Sequence, residues 1–413
     1  MVRNRGRHLH APLKRNTVPS PTAPTRATSI LPEPDAAARE HSARVSAALH
    51  KQIEDAGGFL PFRDWMNTAL YAPGLGYYAA GSRKFGPDGD FVTAPELTPL
   101  FGRTLATDVA AILGASKARQ VVELGAGSGK LARDILSGLD TLDVAVERYS
   151  IVEVSADLAE RPRETLKGDA RVQWLTTLPD TLTGAIIMNE VLDALPPDVV
   201  SRRHGEWFKR GVALHEGKFM WAESPLVDSE LQTLAEARFP RAGDYTSEIN
   251  RSAERLVEDL ARRLQSGALL IVDYGFPAHE YFHPQRGQGT LMTHYRHRAT
   301  SDPFLWPGLA DITSHVDFSA IAAAGERAGL HVAGYTSQAA YLIGAGLLDR
   351  LLESGDPESA AYLRSAAIVH MLTSPAEMGE LFKCLVLARQ EVPELRGFSL
   401  SEHSRRLVGL ATD

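Results

Sequence analysis

The chain has 413 residues, of which 44% are hydrophobic and 23% charged, the composition of an ordinary folded protein. Its net charge of −7 provides no global basic field, which argues against a nucleic-acid partner. The single cysteine, Cys384, excludes an intrachain disulfide framework and a cysteine-cluster metal site. No apolar run approaches the ~20 residues of a membrane-spanning helix, so we expect no membrane partner.

Residues 1–35 differ from the rest of the chain. They are rich in Arg, Pro, Ser and Thr and carry almost no apolar clusters. Such a segment cannot bury enough apolar surface to offset its ordering entropy, so the sequence predicts a disordered basic tail. Its composition is also that of an organellar transit peptide, although four prolines between positions 12 and 24 disfavour the amphipathic helix that such peptides form.

Residues 36–117 are predicted to form an N-terminal helical region that also contributes to a lid. Apolar residues at helical spacing predict helices at 36–55 and 62–70. The long irregular stretch 71–92 follows, and a loop of this length inside a domain is usually functional. Thr93 is then predicted to cap a helix that runs to about position 113, with Pro95 and Glu96 in its first turn.

From position 118, short β-branched runs alternate with helical patterns. This alternation predicts an α/β fold in which a mostly parallel sheet carries helices on both faces, with ligands bound at the carboxyl ends of its strands. The predicted α/β core covers 118–196 and 244–275. Its strands are predicted at 120–124, 148–154, 171–175, 184–189 and 267–273, and its helices at 129–137, 155–166 and 245–265.

Two further regions are predicted around this core. Residues 197–243 form an inserted small antiparallel unit, with strands at 198–203, 206–214 and 218–222. Residues 276–413 combine a polar, irregular substrate lid, at 276–316, with a C-terminal α/β extension. The extension is predicted to have helices at 317–329, 338–353, 357–372 and 375–382 and strands at 330–336 and 383–390.

The first core strand breaks into three glycines at alternate positions, Gly125, Gly127 and Gly129. A phosphate-binding P-loop needs four residues between its first Gly and the Gly-Lys pair, but only three separate Gly125 from Gly129-Lys130, which excludes that motif. The dinucleotide fingerprint needs a third Gly where Lys130 stands. A nicotinamide-dependent oxidoreductase is therefore disfavoured but stays open.

The remaining pattern, Glu-x-Gly-x-Gly-x-Gly from Glu123 to Gly129, resembles the first motif of class I S-adenosylmethionine-dependent methyltransferases. The resemblance implies that the loop wraps the methionine and ribose of the cofactor and that Glu123 helps to hold its ammonium end. The implied loop positions are Gly125, Ala126, Gly127, Ser128 and Gly129.

The second core strand ends at the acid Glu153, followed by Val154. A carboxylate at this position can accept hydrogen bonds from two ribose hydroxyls, so we assign both residues to the cofactor site. Glu153 lies 24 residues after Gly129, close to the spacing in dinucleotide-binding folds, so this acid alone does not separate the two cofactors. Glu153 could alternatively cap the next helix.

The fourth core strand ends in three polar residues, Asn189, Glu190 and Asp193, beside the predicted cofactor loop. Asn189 offers a carbonyl acceptor and is assigned to both cofactor binding and catalysis. Two carboxylates in a partly dry site can orient a cationic nitrogen and remove its proton during in-line displacement. The alternative is that Asn189 and Asp193 only stabilise a turn.

A third group of polar and aromatic residues follows the fifth strand. It is predicted to form the acceptor site and its lid, together with residues from the N-terminal region. Many histidines suggest a metal, but no cysteine accompanies them and their spacing fits no zinc pattern, so we expect none. The assigned residues are Tyr78, Thr93, Glu96, Asp273, Tyr274, His294, Tyr295, His297 and His315.

These stretches together resemble the MidA family of methyltransferases, related to the mitochondrial complex I assembly factor that methylates a protein arginine. The resemblance extends from about position 48 to about 390. Its most specific runs are Asn189-Glu-Val-Leu-Asp-Ala-Leu-Pro196 and Asp311-Ile-Thr-Ser-His-Val-Asp-Phe318. The resemblance also includes the runs 70–78, 89–96 and 273–275.

The resemblance implies a class I (Rossmann-like) methyltransferase that uses S-adenosylmethionine and N-methylates a protein side chain, with arginine as the family's acceptor. Two alternatives stay open: a cofactor-binding assembly factor without essential catalysis, and a methyltransferase for a small molecule or natural-product peptide. We expect a protein or peptide acceptor, a possible homodimer, and a bacterial cytoplasmic location, with the mitochondrial matrix as the rival compartment.

Overall fold

The computed structural model describes residues 31–79, 93–153 and 160–407. Most of the predicted basic tail, most of the predicted loop 71–92, and Val154 therefore lie outside the described residues. The helices are α1 Ala36–Asp55, α2 Phe62–Tyr71, α3 Ala94–Leu97, α4 Pro99–Ser116, α5 Lys130–Thr141, α6 Glu160–Thr165, α7 Ser229–Arg238, α8 Arg251–Arg263, α9 Ala278–Tyr281, α10 Phe318–Arg327, α11 Gln338–Gly344, α12 Leu347–Glu353, α13 Ala360–Thr373 and α14 Met378–Leu381.

The strands fall into three sheets. They are β1 Leu60–Pro61, β2 Gln120–Leu124, β3 Arg148–Val152, β4 Val172–Leu175, β5 Leu182–Asn189, β6 Asp198–Arg203, β7 Glu206–His215, β8 Lys218–Pro225, β9 Tyr245–Ile249, β10 Leu264–Phe276, β11 Met292–Tyr295, β12 Arg298–Thr300, β13 Asp311–Thr313, β14 Val316–Asp317, β15 His331–Ser337 and β16 Phe382–Ala388.

The central sheet has the order β15-β16-β10-β5-β2-β3-β4, and β14 pairs with the end of β10. Strands β10, β5, β2, β3 and β4 are mutually parallel, so their carboxyl ends lie at one edge. The predicted mostly parallel α/β sheet is confirmed. The glycine loop follows β2, in the middle of that edge.

The two last strands of the chain complete this sheet. β16 runs antiparallel to β10 and lies between it and β15. All seven residues of β16 are buried, from Phe382 to Ala388, as expected for an interior strand. β15 and β16, which lie outside the predicted core of 118–196 and 244–275, are therefore part of the same sheet.

Helices cover both faces of the sheet, as predicted. On one face, Phe101 and Leu105 of α4 and Ile135 of α5 pack in a common apolar core. The other face is covered by α8 and α10, through residues such as Val257 and Ile321. The burial of apolar side chains on both faces of the sheet is the main source of stability in such a fold.

Two glycines let α4 and α5 approach closely. A Cβ at Gly102 would lie 2.7 Å from Cβ of Asp134, and one at Gly138 would lie 2.6 Å from Cβ of Ala106. Any larger residue would push the helices apart. Because α5 begins directly after the glycine loop, this contact also fixes the position of the loop.

The predicted antiparallel insertion is confirmed and is larger than expected. β6, β7 and β8 pair antiparallel, β9 pairs with β6, and β1 pairs with β7. The predicted helix at 245–265 is wrong in its first part, because Tyr245–Ile249 forms β9. All five residues of β9 are buried, and that burial against β6 outweighs the helical pattern of the following residues.

Helices α1 and α2 pack on this second sheet. Val45, Leu49 and Trp65 share an apolar core with Val199 and Val212 of β6 and β7. The predicted N-terminal helical region is therefore divided, since α4 packs on the central sheet instead. Among the residues that the structure describes, no helix is long and apolar enough to cross a membrane.

The predicted helix from 93 to 113 is two helices. α3 ends at Leu97, and α4 begins at Pro99 with Thr98 as its N-cap, whose hydroxyl accepts the N–H of Leu100 at 3.2 Å. Proline has no N–H to continue the first helix but is well suited to the first turn of the second. The predicted helix 338–353 is likewise divided, at Gly346, which has φ 92°.

The segment predicted as irregular, 276–316, contains short strands. β11 pairs with β12 and β13 in a small antiparallel sheet, and β14 extends the central sheet. The many turn residues between these strands conceal them in the sequence, because each strand is only two to four residues long. This small sheet places β13 against the carboxyl edge of the central sheet.

Candidate active site

The glycine loop connects β2 to α5. Gly125, Gly127 and Gly129 have φ values of 67°, 55° and 80°, a region that residues with a Cβ adopt only with strain. The backbone conformation of the loop therefore favours glycine at all three positions. The N-terminus of α5 at Lys130 then offers unpaired N–H groups beside the loop.

Helix α3 holds this loop in place. One carboxylate oxygen of Glu96 accepts a hydrogen bond from the hydroxyl of Ser128, and the other lies 2.8 Å from Nζ of Lys130. The carboxylate of Glu96 is almost fully buried. The sequence grouped Glu96 with the lid of the acceptor site, whereas the structure places its side chain on the predicted cofactor loop.

Glu123 lies just below the loop, on β2, and is 1% exposed. Its Oε2 accepts a 2.6 Å hydrogen bond from the hydroxyl of Tyr149 on β3. Burial raises the pKa of Glu123 to about 7, although the hydrogen bond opposes this shift. A cationic group above the loop would favour the ionised form, which fits the predicted partnership with an ammonium group. Glu153 follows β3 at the same edge, next to the undescribed Val154.

Asn189 and Glu190 follow one another at the carboxyl end of β5. Glu190 has φ 53°, a strained conformation for a residue with a side chain, and its N–H donates to the carbonyl of Val272 at 2.9 Å. Nδ2 of Asn189 donates to Oε1 of Glu190 at 3.1 Å. Among the described residues, Oδ1 of Asn189 is buried and has no hydrogen-bond partner. This orphaned oxygen lies beside the glycine loop, where a ligand could satisfy it.

Asp193 and Asp273 lie side by side. Oδ2 of Asp273 accepts the N–H groups of Leu192 and Asp193 at 2.9 and 3.3 Å, so Asp273 fixes the turn after β5. Asp273 is fully buried and Asp193 is 5% exposed. A hydrogen bond from the hydroxyl of Tyr274 opposes the rise in the pKa of Asp193 that burial causes.

Asp311 was not among the site residues assigned from the sequence, but it faces the carboxyl groups of Asp193 and Asp273. It is 3% exposed and lies at the start of β13. Its Oδ1 accepts a 2.8 Å hydrogen bond from the hydroxyl of Tyr78. The ring of Tyr78 stacks on Tyr71 with 5.4 Å between centroids, and the hydroxyl of Tyr71 donates to the carbonyl of Ala194 at 2.9 Å. The only sequence signal for Asp311 was its place in a family-specific run.

The carboxyl groups of Glu190, Asp193 and Asp273 lie together, and we refer to them as the acidic cluster. Burial raises the pKa of Glu190 to about 8 and that of Asp193 to about 6. The pKa of Asp273 is also well above its ordinary value, because the site is buried and because Asp193 and Glu190 repel its charge. Within the described ranges, no Lys, Arg or His side chain forms an ion pair with any of these three carboxylates.

The remaining lid residues are divided by the structure. His294 pairs with Asp311 across β11 and β13, and burial lowers its pKa. Tyr295 is buried against Trp306, whereas His297 lies at the exposed turn before β12. Thr93 is the N-cap residue of α3, although its side chain does not cap the helix.

His315 lies next to the acidic cluster but is not charged. Its ring contacts Tyr274 edge-on at 5.2 Å and stacks on Phe276 at 5.3 Å. Burial lowers the pKa of His315 to about 4, so the ring is neutral at pH 7. Among the described residues, no three His, Cys, Asp or Glu side chains are arranged to hold a metal ion.

Comparison with known proteins identifies a family. Residues 100–336 match the family model described as "Putative S-adenosyl-L-methionine-dependent methyltransferase". The chain is 31% identical to the mitochondrial protein arginine methyltransferase NDUFAF7 homolog of Drosophila melanogaster, over 86% of this chain and 87% of that protein. The human mitochondrial protein arginine methyltransferase NDUFAF7 is 28% identical, over 80% of each chain.

A solved structure agrees with this chain in three dimensions over most of its length. A protein from Burkholderia thailandensis, crystallised with S-adenosyl-homocysteine, is 45% identical to this chain and has a TM-score of 0.87. The match covers 91% of this chain and 99% of that one.

The residues present fit S-adenosylmethionine as the cofactor. The loop at 125–129 is open to a ligand because three glycines with positive φ carry no Cβ, and Asn189 presents an orphaned acceptor beside it. The buried Glu123 lies below the same loop. From this site and from the comparisons, we conclude that the chain is an S-adenosylmethionine-dependent methyltransferase and belongs to the MidA family.

Proposed function

We propose that the protein N-methylates a protein side chain and that the acceptor is the guanidinium group of an arginine. One observation carries the proposal. Glu190, Asp193 and Asp273 form an acidic cluster at the end of β5 and β10, in which Asp193 and Asp273 are buried and Glu190 is half-buried, with no basic partner among the described residues. Burying charges of one sign is costly, and a cationic ligand offsets that cost.

The names of the relatives support the same acceptor. The Drosophila and human relatives are named protein arginine methyltransferases. A guanidinium is planar and remains protonated at neutral pH, so an enzyme that methylates it needs carboxylates to orient it. Asp193 and Glu190 supply such carboxylates next to the predicted cofactor loop. The stacked rings of Tyr71 and Tyr78 offer aromatic surface of the kind that guanidinium groups contact.

The positions of the residues support the following proposed roles. The glycine loop and Asn189 would hold the cofactor, with Glu123 near its ammonium end and Glu153 near its ribose. S-adenosylmethionine, when bound, supplies a methyl group on a sulfonium sulfur. Asp193 would accept N–H hydrogen bonds and orient the acceptor nitrogen. The pKa of Glu190 is about 8 without a ligand, and a bound guanidinium would lower it and keep this carboxyl group ionised. Glu190 could then accept the proton that the acceptor nitrogen loses.

Asp273 has a positioning role in this scheme. Its Oδ2 holds the N–H groups of Leu192 and Asp193, which sets the turn that carries the Asp193 side chain. Its own carboxylate is fully buried. We therefore expect Asp273 to act through Asp193 rather than by contact with the acceptor.

Identification of the methylated amino acid tests the proposal. The protein is incubated with methyl-labelled S-adenosylmethionine and soluble cell proteins, and the labelled protein is hydrolysed in acid and separated by chromatography. We expect the label in N-methylarginine, and none with the Gly127→Arg variant. Label in methyllysine, in a base-labile methyl ester, or only in a small molecule would contradict an arginine acceptor.

A further inference from the structure

A second group of charged and aromatic side chains adjoins the acidic cluster. It consists of Phe276 and the three side chains around its ring, and we refer to it as the Phe276 cluster. Cζ of Arg286 lies 3.9 Å from the ring centroid and Nζ of Lys383 lies 5.8 Å from it. The imidazole of His315 stacks on the same ring at 5.3 Å. None of these side chains has a role in the proposed methyl transfer.

The Phe276 cluster and the acidic cluster lie on either side of Tyr274. Tyr274 lies two residues before Phe276 on β10, and its ring contacts His315 at 5.2 Å. The hydroxyl of Tyr274 reaches Asp193 on its other side. Alternate residues of a strand are about 7 Å apart and point to the same face. The two clusters are therefore neighbours along one surface of the carboxyl edge.

The Phe276 cluster is held on a fixed scaffold. The N–H of His315 donates to Oγ1 of Thr290 at 3.1 Å. Thr290 in turn donates through its N–H and its hydroxyl to Oε2 of Glu248, at 2.9 and 3.0 Å. Gly289 permits this contact, because a Cβ there would lie 2.2 Å from Oε1 of Glu248. The position of His315 is thus set before any ligand arrives.

The charge of the Phe276 cluster is positive and incompletely balanced. Burial, and to a smaller extent the charges of Arg286, His294 and Lys383, lower the pKa of His315, so the positive charge of the cluster lies on Arg286 and Lys383. Lys383 is nearly buried and pairs with Glu380 at 3.4 Å. In the described part of the chain, Arg286 contacts the Phe276 ring, and no carboxylate or carbonyl accepts from its guanidinium. A guanidinium has five N–H donors and binds a carboxylate through two of them.

We propose that the Phe276 cluster is a subsite for a carboxylate of the acceptor protein, carried two or three residues from the methylated side chain. This inference rests on the proposed function, because the adjacent acidic cluster is taken as the site of the acceptor cation. An extended peptide advances about 3.3 Å per residue, so two or three residues span the distance between the clusters. The acceptor would present one cation and one anion to surfaces of opposite charge.

Peptide binding to the cofactor-saturated protein tests the subsite. The probes are fluorescein-labelled peptides Gly-Glu-Gly-Arg-Gly-Glu-Gly and the same sequence with Gln or with Lys in place of both Glu residues. Binding is measured by anisotropy with S-adenosyl-homocysteine in excess. For the wild type, we expect the Glu peptide to bind about tenfold more tightly than the Gln peptide and the Lys peptide to bind most weakly.

Charge reversal gives the decisive comparison. In the Arg286→Glu variant the order of the peptides should invert, and Arg286→Lys should retain the wild-type order. The control is Arg255→Glu, an exposed arginine on α8, which should leave all three affinities unchanged. Equal binding of the three peptides by the wild type, absence of binding, or an unchanged order in Arg286→Glu would overturn the subsite.

Two further arms separate this inference from the proposed function. A Glu peptide with Gln in place of Arg tests the acceptor cation alone. If the protein still binds the Glu peptide more tightly than the Gln peptide, and replacing Arg does not change the affinity, the subsite stands and the arginine acceptor is wrong. The affinity for S-adenosyl-homocysteine is also measured in Arg286→Gln. A tenfold loss there would assign Arg286 to the carboxylate of the cofactor and would overturn the subsite.

Discussion

The hydroxyl of Tyr78 donates a 2.8 Å hydrogen bond to Oδ1 of Asp311, a residue 233 positions later in the chain. This bond connects the segment after α2 with β13. Tyr71 stacks on Tyr78, and its hydroxyl donates a hydrogen bond to the carbonyl of Ala194. The two rings are therefore held in place by Asp311 and by the residue that follows Asp193. The N-terminal segment therefore forms one wall of the proposed acceptor site.

Loss of the Tyr78 hydroxyl should weaken acceptor binding. Tyr78→Phe leaves Asp311 without that donor, and a lost hydrogen bond to a charged group costs about 1.5–3 kcal/mol. We expect KM for the acceptor to rise about tenfold while the affinity for S-adenosyl-homocysteine stays unchanged. Steady-state kinetics and calorimetry measure the two quantities. The Tyr362→Phe variant, on α13, is the control, and an unchanged KM in Tyr78→Phe would contradict the role of this bond.

A methyl group on the glycine loop should impair cofactor binding. In Gly125→Ala, φ of 67° is unfavourable for alanine by about 1 kcal/mol, and the new Cβ would lie 3.3 Å from Cγ2 of Val191. We expect the Kd for S-adenosyl-homocysteine to rise about tenfold by calorimetry.

The matched control for that substitution is Gly114→Ala. Gly114 lies within α4, and nothing lies within 4 Å of a Cβ built there. Replacing a helical glycine by alanine stabilises the fold by about 0.5–1 kcal/mol, so Tm should rise slightly and the Kd should stay constant. Equal Kd values for the two variants would show that loop conformation does not govern cofactor binding.

Neutralising Glu96 should loosen the cofactor loop. Glu96→Gln keeps the shape of the side chain but removes the charge that pairs with Lys130 and Ser128. We expect the affinity for S-adenosyl-homocysteine to fall roughly fivefold, since a partly buried charged pair is worth on the order of 1 kcal/mol.

An exposed ion pair provides the comparison for Glu96. Asp55→Asn on α1 removes the pairing with Lys51, in which both side chains are mostly exposed. Exposed pairs contribute little, so this variant should bind the cofactor as the wild type does. If both variants lost the same affinity for S-adenosyl-homocysteine, the effect would be due to net charge and not to the position of the loop.

The stability of the cofactor-free protein should fall as pH rises. The pKa of Glu190 is about 8 in the folded protein against an ordinary value of 4.5, so the folded state holds a proton that the unfolded chain has released. The stability due to this proton is present below the unfolded pKa and is lost as pH rises through the folded value. Tm should therefore decline between about pH 5 and about pH 8.

The Glu190→Gln variant is the control for this pH dependence. A glutamine cannot titrate, so the decline in Tm should be smaller in the variant, with other carboxyl groups of raised pKa, among them Glu123, Asp193 and Asp273, responsible for the remainder. Thermal denaturation followed by circular dichroism gives both curves. Parallel curves for the two proteins would show that Glu190 does not hold the additional proton.

Local patterns in the sequence were sufficient to predict the central sheet and the glycine loop. β2 and the loop at 125–129 have a strong local signal, because an apolar strand is followed directly by glycines that the turn requires. Asn189 and Glu190 could be placed at the same edge, since the carboxyl ends of parallel strands lie together.

Contacts between distant segments could not be predicted in this way. Asp311 joins the acidic cluster through Tyr78, and neither position has a neighbour in the sequence that indicates the pairing. Glu96 was assigned to the lid because its partners, Ser128 and Lys130, lie more than 30 residues away. β9 was taken for the start of a helix because its pairing with β6 is visible only in the fold.

Some sequence-based expectations stay predictions. They include the roles of the individual site residues, the bounds of the domains, the homodimer and the cytoplasmic location. The relatives from Drosophila and human are mitochondrial by name, while the structural relative comes from a bacterium.

The central claim is that the acidic cluster binds and deprotonates a cationic acceptor, and methyl transfer by Glu190→Gln tests it most directly. Single-turnover transfer to an arginine acceptor is measured beside the Kd for S-adenosyl-homocysteine. We predict that the rate falls at least a hundredfold, as expected for loss of a general base, while the Kd changes less than about threefold. Transfer at the wild-type rate by this variant, with the cofactor bound normally, would contradict the account.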